Sequence, residues 1–201
     1  FLSSLKDTEG KVDYLYLVDS FGSADPEEVF KLVCNITNFT STPIGFHGHN
    51  NLELALINSL KALEAGCSIV DVTISGMGRG AGNLSTELLL TYLSSKNAID
   101  FNLTKFSEIV SKVEELKSYY KWGVSFPYII SGAYSLPQSD VMNWIAKERH
   151  DINSIVNALQ NKKNMLIDNI KLKIFKNHHQ FNSALIIGGG ASVKRHIQAI
   201  K

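Results

Sequence analysis

The residues of this chain best placed to do chemistry together are His47 and His49, in the run Gly45-Phe46-His47-Gly48-His49-Asn50-Asn51. Side chains two apart on a strand leave from the same face, so both imidazoles can converge on one divalent ion. His-x-His alone is a weak signal, and its plainer reading is two polar residues at a strand end, one hydrogen-bonded and one solvated. Its context points to a metal site. Pro43 and Ile44 lead in as a short apolar run, and Asn51-Leu52-Glu53-Leu54-Ala55-Leu56 opens a helix. Strand, polar cluster, helix is the order in which α/β proteins gather active-site groups at the carboxyl ends of strands.

The elements that must position these histidines follow from periodicity. Val12 to Val18 is an apolar and aromatic run ending at Asp19-Ser20-Phe21-Gly22, which predicts a buried strand and a loop. Asp25-Pro26-Glu27-Glu28 supplies an N-cap, a proline at the first helical position and two acids in the first turn, so a helix should run to about Asn38. Pro43 to His47 is the next strand. Leu52, Leu56, Leu60 and Leu63 form an apolar stripe at helical spacing on a helix ending near Gly66. Ser68 to Ile74 predicts a third strand. It leads into the glycine-rich loop Ser75 to Asn83 and a helix from about Leu84 to Ser95. Three consecutive βα units imply a parallel sheet with right-handed crossovers.

From Thr104 the pattern changes. Lys105 to Tyr120 reads as a helix of alternating charge, and Val124 to Pro137 as an irregular aromatic stretch bounded by prolines. Ser139 to Arg149 and Ile152 to Gln160 read as short helices. A Lys/Asn-rich segment, about Asn161 to Asn182, is expected to be part helix and part linker. Ala184 to Val193 then has the form strand, glycine turn, helix start, as at the opening of a further α/β domain. Gly188 to Gly190 could approach a phosphate, but Val193 breaks the Gly-x-Gly-x-x-Gly spacing, so no nucleotide is assigned.

With 44% hydrophobic and 19% charged residues the chain can bury a sizeable core. A net charge of +1, with lysines scattered, argues against nucleic acid or an anionic membrane as the main partner. Cys34 and Cys67 lie far apart in apolar surroundings, which suits two buried thiols in a reducing compartment. The expected location is the cytoplasm, since no apolar run approaches a membrane span and the start resembles no signal peptide.

Three segments, taken in order, raise the specificity: Val18-Asp19-Ser20-Phe21-Gly22, His47-Gly48-His49-Asn50-Asn51, and Gly76-Met77-Gly78-Arg79-Gly80-Ala81-Gly82-Asn83-Leu84-Ser85-Thr86-Glu87. Together they resemble the last three βα units of the metal-dependent aldolase and acyltransferase TIM barrels. That superfamily includes 4-hydroxy-2-oxovalerate aldolase, hydroxymethylglutaryl-CoA lyase and isopropylmalate synthase. The resemblance covers about residues 5 to 160. It implies an α/β fold, the C-terminal three βα units of a TIM (β/α)8 barrel, followed by a helical appendage. The implied division is residues 1–100 as partial barrel, 101–163 as appendage, and 164–201 as linker and the start of a further α/β domain.

The resemblance also implies a site. His47 and His49, with Asn83 completing the set, would hold a divalent metal, manganese first, with magnesium or zinc as alternatives. The substrate would be a small 2-oxo acid, cleaved to pyruvate and an aldehyde through a metal-stabilised enolate. The first-strand aspartate, its neighbouring arginine and the base histidine would lie upstream of Phe1, because three βα units cannot close an eight-stranded barrel. On this reading the chain is the C-terminal part of a catalytic domain, inactive alone, and a homo-oligomer is compatible with it. The glycine-rich loop lacks the catalytic cysteine of the hydroxymethylglutaryl-CoA lyases. Gly132-Ala133-Tyr134-Ser135 instead matches a segment of the hydroxy-oxovalerate aldolases, which implies that Tyr134 hydrogen-bonds substrate or orders a water. A Claisen-type acyltransferase and a non-catalytic module with a degenerate barrel remain as alternatives.

Other residues carry two readings. Asp19 and Ser20 can face substrate, or Asp19 can cap a loop; Arg79 can pair with a substrate carboxylate or be solvated. His150, His178, His179 and His196 show no partner pattern and are expected at the surface.

Overall fold

Strand β1, Leu15–Asp19, lies beside β2, Ile44–Gly48, which lies beside β3, Ile69–Val70, in one parallel sheet of order β1-β2-β3. The register pairs Leu15 with Ile44, Val18 with His47 and Phe46 with Val70. This is the α/β fold with a parallel sheet, seen in a computed structural model that describes Leu5 and residues 10–175, with side chains through residue 164. The chain divides into two compact units, Phe1–Lys163 and Asn164–Lys201.

Helix α1, Pro26–Thr37, follows β1 and starts as its sequence directs: the Asp25 carboxylate accepts from the Glu27 and Glu28 amides, at 2.9 and 3.4 Å. We expect Asp25→Ala to lower stability by about 1 kcal/mol, read from urea unfolding followed by circular dichroism; an unchanged midpoint would show the cap to be idle. Val29, Val33 and Ile36 on α1 pack with Ile44, Phe46, Ala62 and Cys67 into a core on one face of the sheet. Helix α2, Ala55–Glu64, covers the same face.

The leucine stripe at helical spacing on α2 is only half-buried. Ala55, Asn58, Ser59 and Ala62 are the fully buried residues, and their small side chains let the helix backbone sit close to the sheet. Strand β1 also departs from expectation. It is not buried on both sides but alternates, with Tyr16 42% and Val18 50% exposed on the face away from α1 and α2. Ser68 to Ile74 forms only two residues of strand, Ile69–Val70, paired with Gly45 and Phe46 of β2, before a 3₁₀ turn at Ile74–Gly76.

Helices α3, Thr86–Ser95, and α4, Leu103–Tyr120, follow, capped by Ser85 and Asn102. The stretch expected to be irregular contains α5, Phe126–Ala133, because Pro127 falls in the first turn, where a missing amide hydrogen costs nothing. After α6, Gln138–Ala146, helix α7 runs from Ile152 to Phe175, well past Gln160. Of the segment expected to be part helix and part linker, Asn161 to Phe175 is helical, and the rest lies outside the described residues. Tyr128, Ile130, Leu136, Val141, Ile155 and Leu159 form a second core among these helices.

Both cysteines are free. Cys67 is buried and its thiol is pushed up to about 11 by desolvation, whereas Cys34 is only partly buried. Ala184 to Val193, with Gly188 to Gly190, lies outside the described residues, as do His178, His179 and His196; His150 is exposed. Among the described residues no helix is long and apolar enough to cross a membrane.

Candidate metal centre

His47 is the fourth residue of β2, and His49 follows the strand's last residue, Gly48. Their ring centroids are 4.9 Å apart, with planes at 79°. Each ring uses one nitrogen on the protein. His47 Nδ1 is 3.0 Å from Asp71 Oδ2, and His49 Nδ1 is 2.8 Å from the Asp19 backbone carbonyl. Both acceptors carry lone pairs only, so each Nδ1 is the protonated donor and each Nε2 is left as the lone-pair nitrogen. A histidine that donates its other ring N–H to a carboxylate or backbone carbonyl is the usual state of a metal ligand. The donor chemistry therefore fits a divalent ion.

Asn83 is nearer to His49 than a loop position alone would require. The two residues face each other in an antiparallel bridge flanked by Asn50 N–H to Gly82 O at 3.0 Å and Leu84 N–H to Gly48 O at 3.3 Å. That is the closely spaced, non-hydrogen-bonded type of pair, with both side chains on one face. The Asn83 amide nitrogen donates to Met77 O at 3.0 Å, which leaves its oxygen as the electron-rich end. Among the described residues no cluster of three or more His, Cys, Asp and Glu could hold an ion, so these donors form a partial set.

The glycine-rich loop is held by strained and pinned backbone. Ser75 has φ +52°, a left-handed conformation costly for a residue with a Cβ, and it is fastened at both ends. Its amide donates to Glu87 Oε2 at 3.0 Å, and its carbonyl accepts from the Trp122 indole at 2.9 Å. Gly82, at φ +80°, passes so close to the Gly76 carbonyl that any Cβ would collide with it. The loop is thus set against Trp122, just after α4, before it delivers Asn83.

The two readings of Asp19 are decided by its partners. Its carboxylate accepts from the Ser23 and Ala24 amides, at 3.2 and 3.1 Å, so the side chain caps the loop while the carbonyl orients His49. Ser20, Phe21, His49, Arg79, Gln138 and Ser139 line a cleft of about 310 Å³. Asn83 lines a neighbouring one of about 530 Å³ with Asn50, Ser85 and Lys121. Tyr134 is 46% exposed, with the Lys163 ammonium 3.9 Å above its ring centroid. Two residues before it, Gly132 packs directly on Asn51 and the Phe21 carbonyl, so its segment is anchored at the edge of the site.

Sequence reasoning missed Asp71 and Trp122. Asp71 follows Val70, which pairs with Phe46, so register alone sets it beside His47. That offset between two strands has no local sequence signal. Nothing in the sequence around Trp122 points to Ser75, 47 positions earlier.

The model of the HMGL-like family matches residues 7–113, which contain β1 to β3, both histidines and Asn83. The chain belongs to the HMGL-like family. A curated relative from Geobacillus genomosp. 3, named 4-hydroxy-2-oxovalerate aldolase, is 45% identical over 82 residues, covering 41% of this chain and 24% of its own length. A Mycobacterium tuberculosis relative named oxaloacetate decarboxylase is 33% identical over 124 residues, covering 58% of this chain and 37% of its own length. This HMGL-like chain thus spans about a quarter to a third of the length of these relatives. Among solved structures, the N-terminal domain of a putative aldolase from Bacteroides vulgatus superposes with a TM-score of 0.70 at 43% identity, over 78% of this chain and 52% of that one. The carboxyl transferase domain of Rhizobium etli pyruvate carboxylase, at 19% identity and a TM-score of 0.58 over 74% of this chain and 25% of that one, shares the fold.

Proposed function

We propose that this HMGL-like chain forms part of a divalent-metal aldolase that cleaves a 4-hydroxy-2-oxo acid into pyruvate and an aldehyde. The observation that carries the proposal is the pair of imidazoles on one face, each with Nδ1 engaged and Nε2 open. The names of the aldolase relatives supply the reaction class.

In this reading His47, His49 and the Asn83 amide oxygen hold the ion. When bound, the ion supplies Lewis-acid stabilisation of the negative charge that develops on the 2-oxo acid as its carbon–carbon bond breaks. A nitrogen and oxygen donor set suits manganese, magnesium or zinc, and analogy with the family puts manganese first. Arg79 shares the cleft of His49, and its planar guanidinium matches a substrate carboxylate. Tyr134 offers its hydroxyl to substrate or to an ordered water. The aspartate ligand and the base that accepts the substrate hydroxyl proton are assigned to further βα units of the barrel, so residues 1–201 alone should turn over poorly.

A second reading is favoured by the M. tuberculosis relative, matched here over 124 residues. Decarboxylation of oxaloacetate also leaves a pyruvate carbanion and places the same demand on the site. The test is to supply the intact protein with a 4-hydroxy-2-oxo acid and, separately, with oxaloacetate, before and after chelation and manganese replacement. Pyruvate plus aldehyde, lost on chelation and restored by the ion, is the expected result. Carbon dioxide without aldehyde would assign the decarboxylase instead, and chelator-resistant turnover of either substrate would overturn the metal reading.

A further inference from the structure

Asp71 and Tyr16 are outside the donor set, yet both stand on the His47 side of the sheet. Tyr16 pairs with Gly45 and Val18 with His47; Gly45 pairs with Ile69, which brings Asp71 level with His47. Because residues alternate between faces, Tyr16, Gly45, His47 and Asp71 share the face turned away from α1 and α2. A Cβ on Gly45 would lie 2.6 Å from the Tyr16 ring, so glycine at this position lets the ring lie across β2 toward β3. The Tyr16 pKa is raised first by desolvation and then by the charge and hydrogen bonding of the Asp71 carboxylate.

We propose that Asp71 and Tyr16 are positioning residues for His47: the phenol holds the carboxylate, the carboxylate holds the Nδ1 proton, and Nε2 is presented to the cation. The inference rests on the reading of His47 as a metal ligand. An imidazole without a fixed Nδ1 partner is divided between two tautomers and free to turn about its Cβ–Cγ bond, and both freedoms oppose ion binding. The 3.0 Å contact to Asp71 Oδ2 removes both. Asp71 acts on the ring directly, and Tyr16 acts one bond further away, so their effects should differ in size.

Two measurements on the intact protein test this, only one of which needs the metal. In the metal-free protein, ¹⁵N shifts of the His47 ring report the tautomer; in the manganese-loaded protein, electron paramagnetic resonance titration of free Mn²⁺ reports affinity. The wild type should show Nδ1–H. Asp71→Ala should mix the tautomers and weaken Mn²⁺ binding by about 10–100-fold, with an unchanged circular dichroism spectrum. Asp71→Asn keeps the volume and an acceptor oxygen, so it should retain the tautomer and lose less affinity; it also serves if the alanine variant fails to fold. Tyr16→Phe should cost only a few-fold.

An unchanged His47 tautomer and unchanged Mn²⁺ affinity in Asp71→Ala, with His47→Ala losing the ion, would overturn the positioning role and leave the metal reading intact. If the wild type binds no Mn²⁺ the metal reading fails, and the positioning role then stands or falls on the tautomer shift alone.

Discussion

Replacing either His47 or His49 by alanine should lower the rate of pyruvate release from a 4-hydroxy-2-oxo acid by about 10³-fold or more in the intact protein. Lewis-acid stabilisation of developing charge is worth several kcal/mol, and each ~1.4 kcal/mol is tenfold in rate. Each histidine contributes one nitrogen to a set that is only partial among the described residues, so losing either leaves the ion weakly held. The loss should appear in kcat rather than KM alone, and Mn²⁺ affinity should fall with it. The same variants should unfold near the wild-type midpoint, because both rings are only partly buried. Activity within a few-fold of wild type in either variant would remove the histidines from the mechanism.

The second large effect concerns Asn51, the last residue of the histidine motif, which holds the fold together. Asn51 is completely buried. Its amide nitrogen donates to the Tyr128 carbonyl at 3.0 Å, and its amide oxygen accepts from Gln138 Nε2 at 2.9 Å. Gly22 and Gly132 both close directly onto it. Asn51→Ala would remove both hydrogen bonds, each worth about 0.5–1.5 kcal/mol net, so a loss of about 1–3 kcal/mol is expected. At roughly 2–4 °C per kcal/mol for a chain of this size, the thermal midpoint should fall by about 2–12 °C. Urea and thermal unfolding followed by circular dichroism would check this, and a loss below about 0.5 kcal/mol would show that the site repacks freely.

The strand order, the α1 cap and the shared face of His47 and His49 were legible because each depends on periodicity or on residues a few positions apart. The Asp25-Pro26-Glu27-Glu28 sequence contains its own cap, acceptor and donors together. The ends of elements were less legible. The apolar run after Ser68 extends to Ile74, but its pairing with β2 ends at Val70, so β3 is two residues long. Burial on α2 was not legible either. Leucine spacing measures apolarity, whereas close approach to a sheet selects small residues such as Ala55, Ser59 and Ala62.

By itself the sequence determined the residue types of the site, the two-residue spacing that turns both imidazoles one way, and the order of the βα units that carries the family. Only the tertiary structure decided what each of those groups touches. Strand register brought Asp71 to His47 and the Asp19 carbonyl, at the end of β1, to His49. The backbone bridge set Asn83 opposite His49. The physical reason is that tautomer and ring orientation are chosen by hydrogen-bond partners 24 and 30 residues away in the chain. Those distances are closed by packing, to which no local pattern of residues is a guide.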